Sequence, residues 1–133
     1  MSGRVSDVWK QREREIAALI SDELGFRVQR KLGAGRAEDT GDLHGVPGWT
    51  IQVAAWDDVR RAARVKTQAA EVQRLNAGNP FACAFVRFNG GLWLACQTVP
   101  QWAAVARETL PESATLTVLT GSEAEHPPLT EVS

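Results

Sequence analysis

Apolar residues first recur at helical spacing. Trp9, Ile16, Leu19, Ile20 and Leu24 share one face of a helix that Ser6 and Asp7 are placed to cap and Gly25 to close. The period then changes. From Phe26 to Leu32 apolar and polar residues alternate, the pattern of a half-buried strand, and Gly33-Ala34-Gly35-Arg36 follows as a flexible basic loop. Segments Asp42–Val46 and Trp49–Ala55 predict two further strands, joined as a hairpin by a turn at Pro47-Gly48. Asp57 and Asp58 suit the positive end of a second helix, which reaches about Asn76 and stops in Ala77-Gly78-Asn79-Pro80, a glycine cap followed by proline. Phe81–Val86 is nearly all apolar, as in a strand buried on both faces, and Asn89-Gly90-Gly91 turns the chain into a strand over Leu92–Cys96. Pro100 opens a third helix to Leu110, and a last strand is expected at Thr115–Leu119. The expected order is therefore α-β-β-β-α-β-β-α: an α/β domain over residues 1–120, with a mixed sheet flanked by helices. Beyond it, the Pro127-Pro128 pair and scattered Glu predict an acidic, disordered tail over residues 121–133.

Composition narrows the class. At 133 residues, 44% hydrophobic and 23% charged, the chain suits one globular domain with one core. No apolar run approaches the roughly 18 residues of a membrane span, and the polar start Met1–Lys10 lacks the apolar stretch of a signal peptide. A cytoplasmic protein without a membrane partner is expected. Cys83 and Cys96 fall inside apolar segments and read as buried free thiols; with only His44 and His126 beside them, too few ligands remain for a zinc centre. The net charge of -1 hides an asymmetry. All fifteen Lys and Arg lie at or before Arg107, against eleven acids, a net of +4 for that stretch, whereas the remainder carries five Glu and no base. Twelve of the fifteen bases are Arg, the side chain that makes bidentate phosphate contacts. A basic body with an acidic tail suits a domain that binds a polyanion.

Particular residues carry the chemistry. In chain order they are Glu13-Arg14-Glu15-Ile16 on the first helix, Gly25-Phe26 at its end, the basic strand Arg27 to Lys31, and the small-residue loop Gly33-Ala34-Gly35-Arg36. Gly41-Asp42-Leu43 then opens the second strand and Gln52-Val53-Ala54 lies on the third. From about residue 8 to residue 105 this arrangement resembles the PD-(D/E)XK nuclease superfamily, with its restriction-endonuclease-like αβββαβ core, and most nearly the archaeal-type and phage Holliday-junction resolvases. The resemblance implies a Mg²⁺- or Mn²⁺-dependent endonuclease acting on branched or duplex DNA as a homodimer. It implies Glu13, Asp42 and position 52 as metal ligands, and Arg27, Arg30, Lys31 and Arg36 as phosphate contacts. It departs at the third strand. Where the family carries Glu-X-Lys, this chain has Gln52 and Ala54. Gln52 keeps a carbonyl oxygen but has no charge, and Ala54 can neither orient a water nor offset developing charge.

Lys66, on the apolar side of the second helix, is the candidate for a displaced catalytic lysine; a stem snorkelling along the sheet edge is its plainer reading. Plainer readings exist for the others too. Glu13 fits a surface ion pair with Arg12 or Arg14, Asp42 a turn residue bonding its own backbone, Gln52 an ordinary strand residue, and the four bases a solvated edge. Trp49 and Trp56 flank the altered motif, as core packing or as stacking surfaces. Three functions stay open: a nuclease-fold DNA-binding protein with cleavage weak or lost, an active metal-dependent endonuclease with its lysine displaced to Lys66, and a pseudo-nuclease serving as an interaction module for a host or phage protein.

Overall fold

The small side chains Ala62 and Ala63 on the second helix meet Ala54 and Val86 of the sheet, and this match lets helix and sheet lie close together. The computed structural model describes residues 2–31 and 41–111. Its elements, in chain order, are α1 (Ser2–Leu24), β1 (Gln29–Arg30), β2 (Leu43–His44), β3 (Trp49–Ala54), α2 (Val59–Ala77), β4 (Phe81–Arg87), β5 (Trp93–Cys96) and α3 (Val99–Thr109). The strands form one sheet in the order β1-β2-β3-β4-β5. Neighbours run antiparallel except β3 and β4, which α2 joins as a parallel pair. The coarse expectation, an α/β unit with a mixed sheet and flanking helices, is what the molecule shows. Residues 32–40, with the basic loop expected at Gly33-Ala34-Gly35-Arg36, the strand expected at Thr115–Leu119, and the tail expected from Gly121 lie outside the described residues. None of the described helices is long and apolar enough to cross a membrane.

Several boundaries differ from those read in the sequence, for local reasons. α1 begins at Ser2 rather than after Ser6 and Asp7, the helix running on through both residues. β1 shrinks from Phe26–Leu32 to two residues. Ser21 of α1 holds the backbone of Val28: its hydroxyl accepts from the Val28 N–H at 2.8 Å, and its one hydrogen is shared between the Ala17 carbonyl at 2.7 Å and the Val28 carbonyl at 3.2 Å. Phe26, expected inside, is exposed. β2 stops at His44 because Gly45, at φ 114°, turns the chain so close to Arg27 that a Cβ would stand 2.9 Å from the Arg27 carbonyl. The caps of α2 are those expected. Asp58 accepts from the Arg61 N–H at 3.0 Å, and Gly78 closes the helix in the left-handed conformation at φ 72°.

Strand alternation divides β3 between two neighbours. Ile51 and Val53 face α1, where they pack with Ile16, Ala17, Ile20, Val28 and Leu43. Thr50, Gln52 and Ala54 face α2. In register across the parallel pair, Thr50, Gln52 and Ala54 lie beside Ala82, Ala84 and Val86. α3 is fastened to the same sheet by Gln97 and Gln101, whose amides donate to the carbonyls of Ala82 and Pro80.

Candidate functional site

Asp42 is fixed first by its backbone. Its N–H donates to the Ile51 carbonyl at 2.7 Å and its carbonyl accepts from Lys31 at 2.8 Å. The preceding Gly41, at φ 111°, permits this approach, because a Cβ there would come within 3.1 Å of the Ile51 oxygen and of the Thr50 methyl. The carboxylate then accepts the N–H of fully buried Val53 at 2.8 Å.

Gln52, one strand over, is 1% exposed. Its Oε1 accepts from the Lys66 ammonium at 3.1 Å, and its Nε2 donates to Oε1 of Gln73. The same ammonium lies 3.9 Å from Asp42 Oδ2. The two oxygens are therefore no more than 7.0 Å apart, the sum of their distances to Nζ. Lys66 reaches this spot because it sits on the stripe of α2 that turns Ala62 and Ala70 to the sheet, and its side chain is only 17% exposed. The helix thus delivers a lysine to the two strand residues, as the displaced-lysine reading requires geometrically. Position 54, by contrast, is closed. Ala54 is fully buried against Ala62 and Val86, so a lysine there would have to displace α2.

Glu13 is engaged by a base of its own. It is 6% exposed and accepts from Arg30 Nε at 2.8 Å, on the side of the strand that Val28 also faces. What α1 brings toward Lys66 is Trp9, whose ring centroid is 5.6 Å from the ammonium. Arg30 is thereby committed to Glu13 rather than presented to solvent, and among the described members of the basic set Arg27 is the exposed one. Lys31 is half-buried and already bonded, and Arg36 lies outside the described residues. Three further guanidiniums, Arg60, Arg61 and Arg64, are exposed on the outer side of α2, with Arg61 lying 5.8 Å from the ring of Trp56. Both flanking tryptophans pack partly into the core, Trp49 beside Phe81 and Trp56 against the cluster around Ala54.

The donor set does not fit a divalent ion. Mg²⁺ and Mn²⁺ take several hard, preferably anionic oxygens. Here there is one carboxylate, whose Oδ2 already accepts a backbone N–H, and one neutral amide oxygen already accepting from an ammonium. Among the described residues no group of three or more His, Cys, Asp or Glu could hold a metal ion. Nor do the thiols offer a nucleophile: burial pushes Cys83 up to about 12, and burial raises Cys96 as well.

A groove of about 600 Å³ opens on the opposite face of the sheet, between α1 and β5, lined by Leu19, Ile20, Trp49, Phe85 and Trp93 among others. It is apolar and separate from the Asp42–Gln52–Lys66 cluster. At its rim Glu15 accepts from Trp93 Nε1 at 2.6 Å, from Arg87 at 3.1 Å and from Arg12 at 2.9 Å.

The chain matches no family model, and no curated protein or solved structure is significantly similar to it. The site's meaning therefore rests on its own geometry. The sequence reading missed Gln73, whose signal was available: it lies seven residues after Lys66 and three after Ala70, on the same helical stripe.

Proposed function

We propose that this chain is a nuclease-fold DNA-binding protein whose cleavage site is retired, so that it holds duplex or branched DNA without cutting it. The observation that carries this reading is the convergence of Asp42, Gln52 and Lys66 where the resemblance calls for a metal-binding acidic pair, with the second acid replaced by a buried amide bonded at both ends. The exposed guanidiniums Arg27, Arg60, Arg61 and Arg64 support the polyanion partner. The contact between Lys66 and Gln52 also favours one rival, an endonuclease that works with its lysine displaced to α2.

Fluorescence anisotropy with a duplex and a four-way junction, paired with a nicking assay in Mg²⁺ and Mn²⁺, tests both. Binding should weaken steeply with salt, and each Arg→Ala change among Arg60, Arg61 and Arg64 should reduce the log–log salt slope by about 0.9 for every phosphate that the arginine neutralises. No nicking is expected. Absence of binding to either DNA at low salt would instead favour the protein-interaction module. Robust cutting by the unaltered protein, lost in Asp42→Ala, would establish the displaced-lysine endonuclease.

A further inference from the structure

We infer that the ammonium of Lys66 is the permanent cation of this site, standing in for a divalent metal and keeping one out. This deepens the retired-site reading and rests on it. Charge balance is the first ground. Asp42 supplies one negative charge, Lys66 one positive charge, and Gln52 none, so the cluster is neutral as it stands. A divalent ion would need a second anion to reach the same balance, whereas an ammonium needs only the one present.

The direction of the amides is the second ground. An ammonium can only donate, so Gln52 must turn its oxygen toward Lys66 and its NH₂ toward Gln73, which must answer with its own oxygen. The buried amide pair is thus oriented by the cation, and Gln73 is a positioning residue for it. The third ground is restraint. The Lys66 side chain is four-fifths buried and the Trp9 ring lies 5.6 Å from Nζ, so the charge is held over the two oxygens rather than left in solvent. An incoming divalent ion would meet a fixed like charge within 4 Å of both its ligands.

Thermal melts and Mn²⁺ titrations followed by electron paramagnetic resonance test this on the full chain. The melting temperature of the unaltered protein should not move in about 5 mM Mn²⁺, since a ligand shifts it only by binding the folded state. Gln52→Glu alone should gain little Mn²⁺ affinity, because the second carboxylate still faces the Lys66 ammonium, which lies between the two positions and repels a divalent ion. Gln52→Glu with Lys66→Met, which keeps both acids and removes the cation, should bind Mn²⁺ at least roughly tenfold more tightly than Gln52→Glu and melt higher when loaded. Mn²⁺ binding by the unaltered protein that Asp42→Asn abolishes would overturn the inference, as would equal affinity of the single and double variants. Should the double variant give no cooperative melt, the unaltered protein and Gln52→Glu still decide, since tight Mn²⁺ binding by either contradicts an occupied site. DNA affinity should be no higher in Mn²⁺ than in EDTA, since no site-bound metal bridges protein and phosphate. If DNA fails to bind in both, the proposed function falls while the cation assignment is judged on the metal titrations alone.

Discussion

One face of β3 meets α1 through Ile51 and Val53, which disappear among Ile16, Ala17, Ile20 and Leu43. The other meets α2 through Thr50, Gln52 and Ala54, where equally buried positions carry a hydroxyl and an amide, bonded to Asn79, Gln73 and Lys66. The two faces belong to one strand and are buried to the same degree, so solvent exposure does not explain the difference. Burying an amide costs desolvation that its hydrogen bonds only offset, and an apolar residue would serve the sheet as well. The α1 face is built for packing. Polarity on the α2 face is retained for something other than packing, which is why the cluster around Lys66 is read as a site.

The largest expected effect lies on the packing face. Ile51→Ala removes a side chain that is 3% exposed at the centre of the α1 cluster, and should cost about 3 kcal/mol in urea denaturation. It should leave the Lys66 cluster's behaviour toward metal and DNA unchanged, since Ile51 points away from it. A change in either property would show that the two faces are coupled and blur the distinction.

On the polar face the expected signature is non-additivity. Gln52→Met or Gln73→Met alone strands a buried amide, at about 1–3 kcal/mol each. The double change removes both partners at once, so its cost should fall short of the sum by about 1 kcal/mol or more. Additive costs would mean that the two amides do not work as a pair.

Much of this was legible in the sequence because the signals were local. The α2 boundaries followed from Asp58 and Gly78 and β3 and β4 from their apolar runs, whereas the meeting of Asp42 with position 52 was what the resemblance implied. Lys66 was legible as a candidate because helical angle alone places it toward the sheet. What was not legible depended on contacts distant in the chain. Nothing near Val28 announces that Ser21 will occupy its backbone and shorten β1, and nothing near Glu13 shows that its partner is Arg30, seventeen residues on, rather than Arg12 or Arg14. The closure of position 54 depended on Ala62 and Val86 together. Charged pairs and close packing are decided by which helix crosses which strand, and alternation gives only the face.

The smallest expected effect returns to the α1 face, at the rim of its apolar packing. Glu15 ties α1 to β4 and β5 by accepting from Trp93, Arg87 and Arg12. The Trp93 N–H, foremost, draws its carboxyl below the usual 4.5; burial opposes this, and the two guanidiniums add to the lowering. With the folded value below the unfolded one, the unfolded chain binds the proton first as the pH falls. The stabilisation from Glu15 is therefore complete above about 4.5 and is lost as pH drops through the folded value. Glu15→Gln keeps an acceptor but gives up the charge, and since the side chain is 31% exposed the loss at neutral pH should be about 1 kcal/mol. Urea denaturation at several pH values should then show the gap between the two proteins narrowing below about 4.5, because only the unaltered chain has this contribution to lose. A gap of constant size across that range would mean that Glu15 holds the rim through its shape, with its charge contributing nothing, and the rim would then differ from the packing beneath it in composition only.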